Sequence, residues 1–253
     1  MAMLQRRRSQ VILVKVQDSV AKEYGFASWA ELRVKVGRRR ADAVPLNPSK
    51  AEMDLLIEFS TDKNPHAMGA LLHHLIGTRD LLVEWGNRSE TCAGGLFHSI
   101  YGTEDHKIQS ASLGIRAEVA SVIGQPAEEL AFLFCVTARS DFTAQAGARA
   151  TVLWDHVHGI HVPVTAETVD ALIEIDVANF VEQVHPMLAK RSWIEGARKK
   201  LDIAAGHMSS DARTALSRLV ERYVAQPTSL GATASRLLLR TRKSFGLQWG
   251  FLR

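Results

Sequence analysis

Residues 64–87 read NPHAMGALLHHLIGTRDLLVEWGN, and this stretch decides the fold class. Its apolar residues recur every three or four positions, which is the period of an α-helix. Asn64-Pro65 is typical of a helix start, and Gly86-Asn87 is typical of a helix end. The pattern therefore predicts one long helix that begins at Asn64 and ends at Trp85.

Two adjacent histidines on this predicted helix differ in the side they occupy. His73 shares its side with Asp80 and Glu84, whereas His74 shares its side with leucines. We expect His74 to point into the protein, where a buried imidazole needs a hydrogen-bonding partner for at least one ring nitrogen. His66 lies two turns earlier and is expected to reach the same pocket.

A second histidine, His98, lies in the sequence GGLFHSIYGTE at residues 94–104. We expect it on a helix that begins at Ser89, with Gly94, Gly95 and Gly102 close to it. Glycines within a helix cost about 1 kcal/mol each relative to alanine. Such a cost favours a close approach to that face, either by another helix or by a ligand that His98 holds.

The rest of the chain predicts an all-α fold with one small β-hairpin. We expect an N-terminal helical hairpin and linker at residues 1–47, a helical domain at 48–225 and a basic tail at 226–253. Within the domain, helices are predicted near residues 50–60, 114–123, 126–139, 166–185, 187–205 and 209–225. Residues 151–165 alternate in polarity and turn at Gly159, which predicts the hairpin.

Composition narrows the classes of partner. The 253 residues carry a net charge of +4, and the two cysteines lie in apolar surroundings, as expected of free thiols. No segment approaches the length of apolar sequence that a membrane span needs, so we expect a cytoplasmic protein with no membrane partner. The basic runs lack interleaved aromatic residues, which favours solvated surfaces over nucleic-acid binding. A small-molecule ligand is expected, and the oligomeric state stays open.

The late helix at 168–185 contains three polar residues within or next to its apolar stripe. Asp176 falls within the stripe, Asn179 lies one turn further on at its edge, and Glu182 follows three residues after Asn179. Buried acid and amide groups need partners. These residues belong either to a structural hydrogen-bond network or to a site.

Taken together, these residues resemble the HD superfamily of metal-dependent phosphohydrolases. His74 is followed 24 residues later by His98 in GLFHSIYGTE, and then by IDVANFVEQ on the late helix. The resemblance covers about residues 64–184 and is closest to the hydrolase domain of guanosine tetraphosphate (stringent-response) enzymes. It implies an HD-domain-like helical bundle with a divalent metal. HLIGT and GLFHSIYGTE also resemble an uncharacterised group of bacterial proteins.

The sequence departs from the family pattern at its anionic positions. Ser99 and Asn179 stand where the family has aspartates, and Gly102-Thr103 replaces a further acidic pair. A site without these charges binds magnesium weakly, so we do not expect hydrolysis of guanosine tetraphosphate. A rearranged site would suit zinc or iron.

The resemblance implies a role for each candidate residue. His98 and His74 would be catalytic, with Glu104 as the replacement carboxylate, while Ser99, Asn179 and Arg116 would bind the ligand. The candidate metal ligands are His66, His74, His98, Asp176 and Asn179.

Three functions remain open from the sequence. The first is a metal-dependent hydrolase or oxygenase acting on a small molecule. The second is a pocket without a metal, which binds a small molecule or uses a histidine as general acid and base. The third is an interaction module that uses the N-terminal hairpin and the basic tail.

Overall fold

A computed structural model describes residues 44–66, 69–103, 109–148, 151–184 and 189–224, with the backbone alone described at 65, 66, 69 and 70. The chain divides into two units, residues 1–45 and 46–253. Almost all described residues belong to the second unit. The predicted basic tail and nearly all of the predicted N-terminal hairpin lie outside the described residues, so the interaction-module hypothesis stays a prediction.

The described part of the second unit is mostly helical, as the sequence predicts. Its helices, in chain order, are α1 (Lys50–Glu58), α2 (Leu71–Glu84), α3 (Ser89–Phe97), α4 (Arg116–Ile123), α5 (Gln125–Val136), α6 (Arg139–Gln145), α7 (Ala166–Gln183), α8 (Arg191–Ala204) and α9 (Ser210–Val224). Short 3₁₀ segments at Leu113–Ile115 and Ala205–His207 precede α4 and follow α8. The sequence does not predict α6.

Local signals explain where several helices begin and end. Ser49 and Glu52 form a reciprocal capping box at the start of α1. The Thr165 hydroxyl accepts a hydrogen bond from the backbone N–H of Thr168 at the start of α7. Gly86, with φ of 75°, follows α2 in a conformation that favours glycine.

Four helices form the centre of this unit. α3 packs against α2, α5 and α7, and α2 also packs against α7. Fully buried side chains fill the space between them, including Leu75, Leu96, Phe97, Phe134 and Leu172. α8 and α9 pack together, and α9 and α6 both pack against α7. This arrangement brings α2, α3 and α7 close enough to share a buried site.

The prediction that α2 begins at Asn64 is wrong. Residues 65–70 instead form a short antiparallel ribbon, in which β1 (Pro65–His66) pairs with β2 (Gly69–Ala70), and the helix begins at Leu71. The side-chain amide of Asn64 donates to the Ser110 hydroxyl at 2.6 Å, and the backbone carbonyl of Asn64 accepts from the N–H of Leu71. With its side chain bound elsewhere, Asn64 does not cap a helix.

The predicted β-hairpin is confirmed. β3 (Thr151–Asp155) pairs antiparallel with β4 (Ile160–Val164), and Gly159 lies in the turn with φ of 69°. β3 packs against α6, and its alternate residues are buried. None of the described helices combines the length and the apolar character required to cross a bilayer.

Candidate functional site

Three polar atoms from three different helical regions meet in the interior. His74 lies on α2, His98 directly follows α3, and Asn179 lies on α7. The distance between the two imidazole Nε2 atoms is 3.3 Å, and Asn179 Oδ1 lies 3.0 Å from His74 Nε2 and 3.2 Å from His98 Nε2. These atoms therefore form a nearly equilateral triangle.

Each imidazole is oriented by a second partner on its other nitrogen. The Nδ1 atom of His74 contacts the carboxylate of Glu182, and the Nδ1 atom of His98 lies 2.7 Å from the carbonyl oxygen of Gly95. Because both partners are acceptors, each Nδ1 carries a hydrogen and donates. In a neutral imidazole, Nε2 then presents a lone pair. We call His74, His98, Asn179 and Glu182 the histidine cluster.

With both imidazoles in this neutral form, three acceptor atoms meet in the triangle. Such an arrangement is repulsive unless a cation lies among the atoms or one of them becomes a donor. Rotation of the Asn179 amide by 180° would present its NH₂ group to both imidazoles, and the two amide orientations differ only in the placement of oxygen and nitrogen. The cluster thus fits either a bound cation or a neutral hydrogen-bond network.

Gly77 makes room for the carboxylate that orients His74. A Cβ atom at Gly77 would lie 2.8 Å from Cγ of Glu182 and 3.1 Å from its Oε1, closer than real contacts allow. Gly77 lies on α2, one turn after His74, and Glu182 lies one turn after Asn179 on α7. The absence of a side chain at Gly77 therefore lets the two helices place Glu182 beside the imidazole.

Two of the glycines near His98 serve helix packing. A Cβ atom at Gly94 would meet Cβ of Leu130 on α5 at 2.9 Å, and one at Gly95 would meet Leu82 on α2 at 2.3 Å. Of the two explanations left open by the sequence, the close approach of neighbouring helices accounts for both. The prediction that His98 and Gly102 continue the helix is wrong, because α3 ends at Phe97 and Gly102 has φ of 84°.

The two imidazoles and the amide of the cluster are buried. His98 is 0% exposed, His74 is 5% exposed and Asn179 is 3% exposed. The ring of Phe134 meets the His98 ring edge-on, with 5.1 Å between centroids. In such surroundings electrostatic interactions are stronger than in water.

The two cysteines are buried free thiols, as the sequence predicts. Burial raises the pKa of the Cys92 thiol to about 12. Cys92 is therefore protonated at neutral pH and is a poor metal ligand.

A cavity of about 1030 Å³ lies next to the cluster. Asn179 lines it, as does Ser99, so the amide separates the cavity from the histidines. Its remaining walls come mainly from α6, α7 and α8 and include the side chains of Phe180, Gln183 and Trp193, and Thr103, which follows α3, also lines it. A small molecule in this cavity would meet the histidine cluster at Asn179.

Asp176, a predicted metal ligand, forms ion pairs in the cavity wall. Its carboxylate contacts the Lys200 ammonium and lies 3.6 Å from Nε of Arg139. Asp176 is 2% exposed, so these two cations compensate a buried charge. We call Arg139, Asp176 and Lys200 the ion-pair triad.

Arg116, which the resemblance implies as a ligand-binding residue, forms a second buried network. Its Nε and Nη2 atoms each lie 2.7 Å from a carboxylate oxygen of Glu128, which also accepts from the Tyr101 hydroxyl at 3.0 Å. The hydrogen bond to Glu128 raises the pKa of Arg116. Burial and the Glu128 carboxylate raise the pKa of Tyr101. Arg116 therefore stays charged and Tyr101 stays neutral at neutral pH.

The structure brings together three of the predicted site residues, His74, His98 and Asn179, and places Ser99 in the adjacent cavity wall. The side chain of His66 and all of Glu104 lie outside the described residues. The sequence places Glu182 three residues after Asn179 as a group that needs a partner, but it assigns Glu182 no role in the site. Gly77 is missed, because it gives no signal until the packing of α2 on α7 is known.

Among the described residues, no group of three or more His, Cys, Asp and Glu side chains is arranged to hold a metal ion. The converging set differs from such groups because its third member is the amide of Asn179. Any metal site here therefore has two imidazoles and one neutral oxygen as its described ligands.

The comparisons with known proteins give a partial family match. The family described as a domain of unknown function, DUF6817, matches residues 55–139. That range includes His74 and His98 and ends before Asn179 and Glu182. No curated protein and no solved structure matches the chain.

Proposed function

We propose that this chain is a metal-dependent hydrolase with an HD-like helical fold, and that it acts on a small molecule bound in the cavity. His74 Nε2, His98 Nε2 and Asn179 Oδ1 would hold the cation. The observation that carries this proposal is the convergence of His74 Nε2, His98 Nε2 and Asn179 Oδ1 within 3.0–3.3 Å of one another.

The spacing of the three atoms supports a shared cation. Ligand atoms that each lie about 2.1 Å from one ion are about 3.0–3.4 Å apart at octahedral to tetrahedral angles. The three separations in the cluster, 3.0, 3.2 and 3.3 Å, fall in this range. The atoms therefore need little rearrangement to act as ligands.

The partners on the far side of each imidazole support the same proposal. Metal-binding histidines usually donate their other N–H to a carboxylate or a backbone carbonyl, which fixes the tautomer and the ring orientation. Glu182 fills this role for His74, and the Gly95 carbonyl fills it for His98. Both histidines thus present the nitrogen that a metal needs.

The neutral ligand set favours zinc over magnesium. Two imidazoles and an amide bring no charge to offset a hard cation such as magnesium, whereas imidazole nitrogen suits zinc or iron. Iron oxygenases of the facial-triad type use two histidines and a carboxylate, and here the third ligand is an amide. The set therefore favours a hydrolase over an oxygenase.

A divalent metal in this site would supply a Lewis acid and a water molecule activated near neutral pH. The chain itself supplies orientation and exclusion of water. Glu182 fixes the His74 ring, Phe134 shields the His98 ring, and Asn179 lies where the cluster meets the cavity.

The alternative is a neutral network in which the Asn179 amide donates to both histidines. Asn179→Asp separates the two, because it replaces the amide with a carboxylate of the same shape. In a metal site the added charge tightens zinc binding, by about tenfold or more. In a neutral network the carboxylate cannot donate, so the protein loses about 1–3 kcal/mol of stability and gains no affinity for zinc.

The experiment measures zinc affinity by competition with a chromogenic chelator and unfolding by urea, with and without zinc. We expect about one zinc per chain in the wild type, tighter binding in Asn179→Asp and loss of binding in His74→Ala and His98→Ala. Gln183→Glu is the matched control, since it makes the same chemical change one turn further along α7. Absence of stoichiometric zinc in both the wild type and Asn179→Asp would overturn the proposal.

A further inference from the structure

The cavity next to the histidine cluster has an accessible aromatic ring in its α8 wall. Trp193 lines the cavity and is 45% exposed. The ammonium of Lys190, which also lines the cavity, lies 5.1 Å from the centre of the indole ring. An aromatic side chain in a concave surface gives a ligand a large, flat apolar face to pack against.

Gly196 leaves open space in the same wall. It lies one turn after Trp193 on α8 and lines the cavity. No atom of the described residues lies within 4 Å of the position that a Cβ atom would occupy there. Glycine destabilises the interior of a helix relative to alanine, and the close approach of a neighbouring helix, which accounts for Gly94 and Gly95, does not account for Gly196. Space for a ligand beside the Trp193 ring does account for it.

Two buried hydroxyl groups line the cavity from outside α8. Ser99 directly follows His98 and is 2% exposed, and Thr143 lies on α6 and is 8% exposed. Neither hydroxyl forms a hydrogen bond with another side chain or backbone group of the described residues. Buried hydroxyl groups are rarely left without a partner. Whatever fills the cavity, water or a ligand, therefore completes their hydrogen bonding.

We propose that the cavity binds an uncharged aromatic amide or ester as the substrate. The ring lies against Trp193 in the space at Gly196, and the carbonyl oxygen accepts hydrogen bonds from Ser99 and Thr143. Ser99 and Asn179 line the same cavity, so this orientation directs the carbonyl towards the histidine cluster. The inference rests on the proposed function, because it names the substrate class for the same cavity.

Two small amides of similar size test the inference by saturation-transfer NMR titration. Benzamide has a planar ring, whereas cyclohexanecarboxamide carries the same amide on a puckered, saturated ring. Both are titrated into the full-length protein as purified, and again after metal is removed on a chelating resin. We expect saturable binding of benzamide in both samples, and binding of cyclohexanecarboxamide that is about fivefold weaker, since only a planar ring stacks on an indole.

Variants in the α8 wall test the position of the ring. Trp193→Leu should weaken benzamide binding by about fivefold, and Trp154→Leu, which removes a similarly exposed tryptophan from the β-hairpin, should leave it unchanged.

Gly196→Ala should weaken benzamide binding by about fivefold and also raise the urea midpoint of unfolding, because alanine favours the helix but fills the space. Its control is Gly206→Ala, where a Cβ atom also meets nothing within 4 Å but the residue lies outside the cavity wall. Gly206→Ala should leave benzamide binding unchanged. A glycine needed only for structure would not combine higher stability with weaker binding.

Thr143→Val tests the carbonyl contact, because valine has the shape of threonine without its hydroxyl. It should weaken benzamide binding by about fivefold and should not lower the urea midpoint, since the hydroxyl has no described protein partner. Thr214→Val is the control, since the Thr214 hydroxyl donates to the Ser210 carbonyl within α9, outside the cavity wall. It should leave benzamide binding unchanged.

Several results would overturn the inference: no saturable binding of benzamide, equal affinity for the two amides, equal effects of Trp193→Leu and Trp154→Leu, or unchanged benzamide binding in Gly196→Ala or Thr143→Val. Circular dichroism confirms that each variant is folded. Zinc binding without benzamide binding overturns this inference alone, whereas benzamide binding without zinc binding overturns only the proposed function.

Discussion

Two buried polar clusters lie near α3 and α5, and they differ in how donors and acceptors are matched. In the first, Glu128 accepts hydrogen bonds from Tyr101 and from two nitrogens of Arg116, so every described contact joins a donor to an acceptor. In the second, His74 Nε2, His98 Nε2 and Asn179 Oδ1 meet, and all three are acceptors when both imidazoles are neutral with the hydrogen on Nδ1. The first is complete by itself, and the second needs a cation or a donor hydrogen on one of its three groups.

Under the proposed function, this difference separates a structural polar cluster from a ligand-binding one. Burial alone does not, because Glu128 at 1% exposed and His98 at 0% exposed are equally buried. A balanced cluster needs no ligand, whereas an excess of acceptors would be relieved by a positive group such as the proposed cation. Changes in the first cluster should therefore alter stability alone, and changes in the second should alter ligand binding.

The largest expected effect is on the balanced cluster. Glu128→Ala leaves the Tyr101 hydroxyl and the Arg116 guanidinium without their acceptor, and breaking a buried pair in this way costs about 3–5 kcal/mol. Urea unfolding measures the loss. Zinc affinity of the folded protein should not change.

Glu129→Ala is the control, since it removes the neighbouring, exposed carboxylate. Its effect on the free energy of unfolding should stay within about 0.5 kcal/mol. If Glu128→Ala lowered zinc affinity as strongly as it lowered stability, the separation of the two clusters would be refuted.

A smaller effect is expected from Gly77→Ala. The added methyl group would displace Glu182 from His74, and loss of such an orienting partner typically lowers metal affinity by about 10–100-fold. Stability should change little, because alanine is favoured over glycine in a helix by about 1 kcal/mol and offsets the contact. Chelator competition measures the affinity.

Gly196→Ala provides the matched change, since a Cβ atom there meets nothing within 4 Å. It should stabilise the protein by up to about 1 kcal/mol and leave zinc affinity unchanged. Unchanged affinity in Gly77→Ala would show that Glu182 does not orient a metal-binding histidine.

The residues that sequence could identify are those with a local signal. Helical periodicity places His74 among leucines and so predicts it in the interior, and Asn179 is a candidate because it borders an apolar stripe. Both inferences use only neighbours within two helical turns. Such reasoning also predicted the all-α class, the hairpin at Gly159 and most helices.

The features that the sequence could not predict depend on contacts between distant segments. The pairing of Asp176 with Lys200 joins α7 to α8 and depends on how these helices cross. The start of α2 was misplaced for a similar reason, because the Asn64 amide binds Ser110, 46 residues away, instead of capping a helix. A capping signal is reliable only when no tertiary partner takes its side chain.

The smallest expected effect on stability concerns Asp155 at the β-hairpin, whose carboxylate is matched by hydrogen-bond donors. The Asp155 carboxylate accepts from the backbone N–H groups of Val157 and His158 and from the His158 imidazole, at 2.7–2.9 Å. Burial opposes ionisation, but these hydrogen bonds together hold the pKa of Asp155 below its ordinary value of 3.8. Because the folded pKa is lowered, Asp155 contributes stability above the unfolded pKa, and this contribution is lost as the pH falls through the folded pKa.

Asp155→Asn should therefore cost about 1 kcal/mol at pH 7, and its difference from the wild type should shrink as the pH falls below 3.8. Urea unfolding at pH 7, 5 and 3 measures this difference. Asp170→Asn is the control, because Asp170 also pairs with a histidine, His207, but is 44% exposed, and its effect should stay below about 0.5 kcal/mol at every pH. If the two substitutions lowered the free energy of unfolding equally at pH 7, the backbone N–H donors around Asp155 would add no stability beyond that of the His–Asp pair. A match of donors and acceptors would then not identify a stabilising cluster.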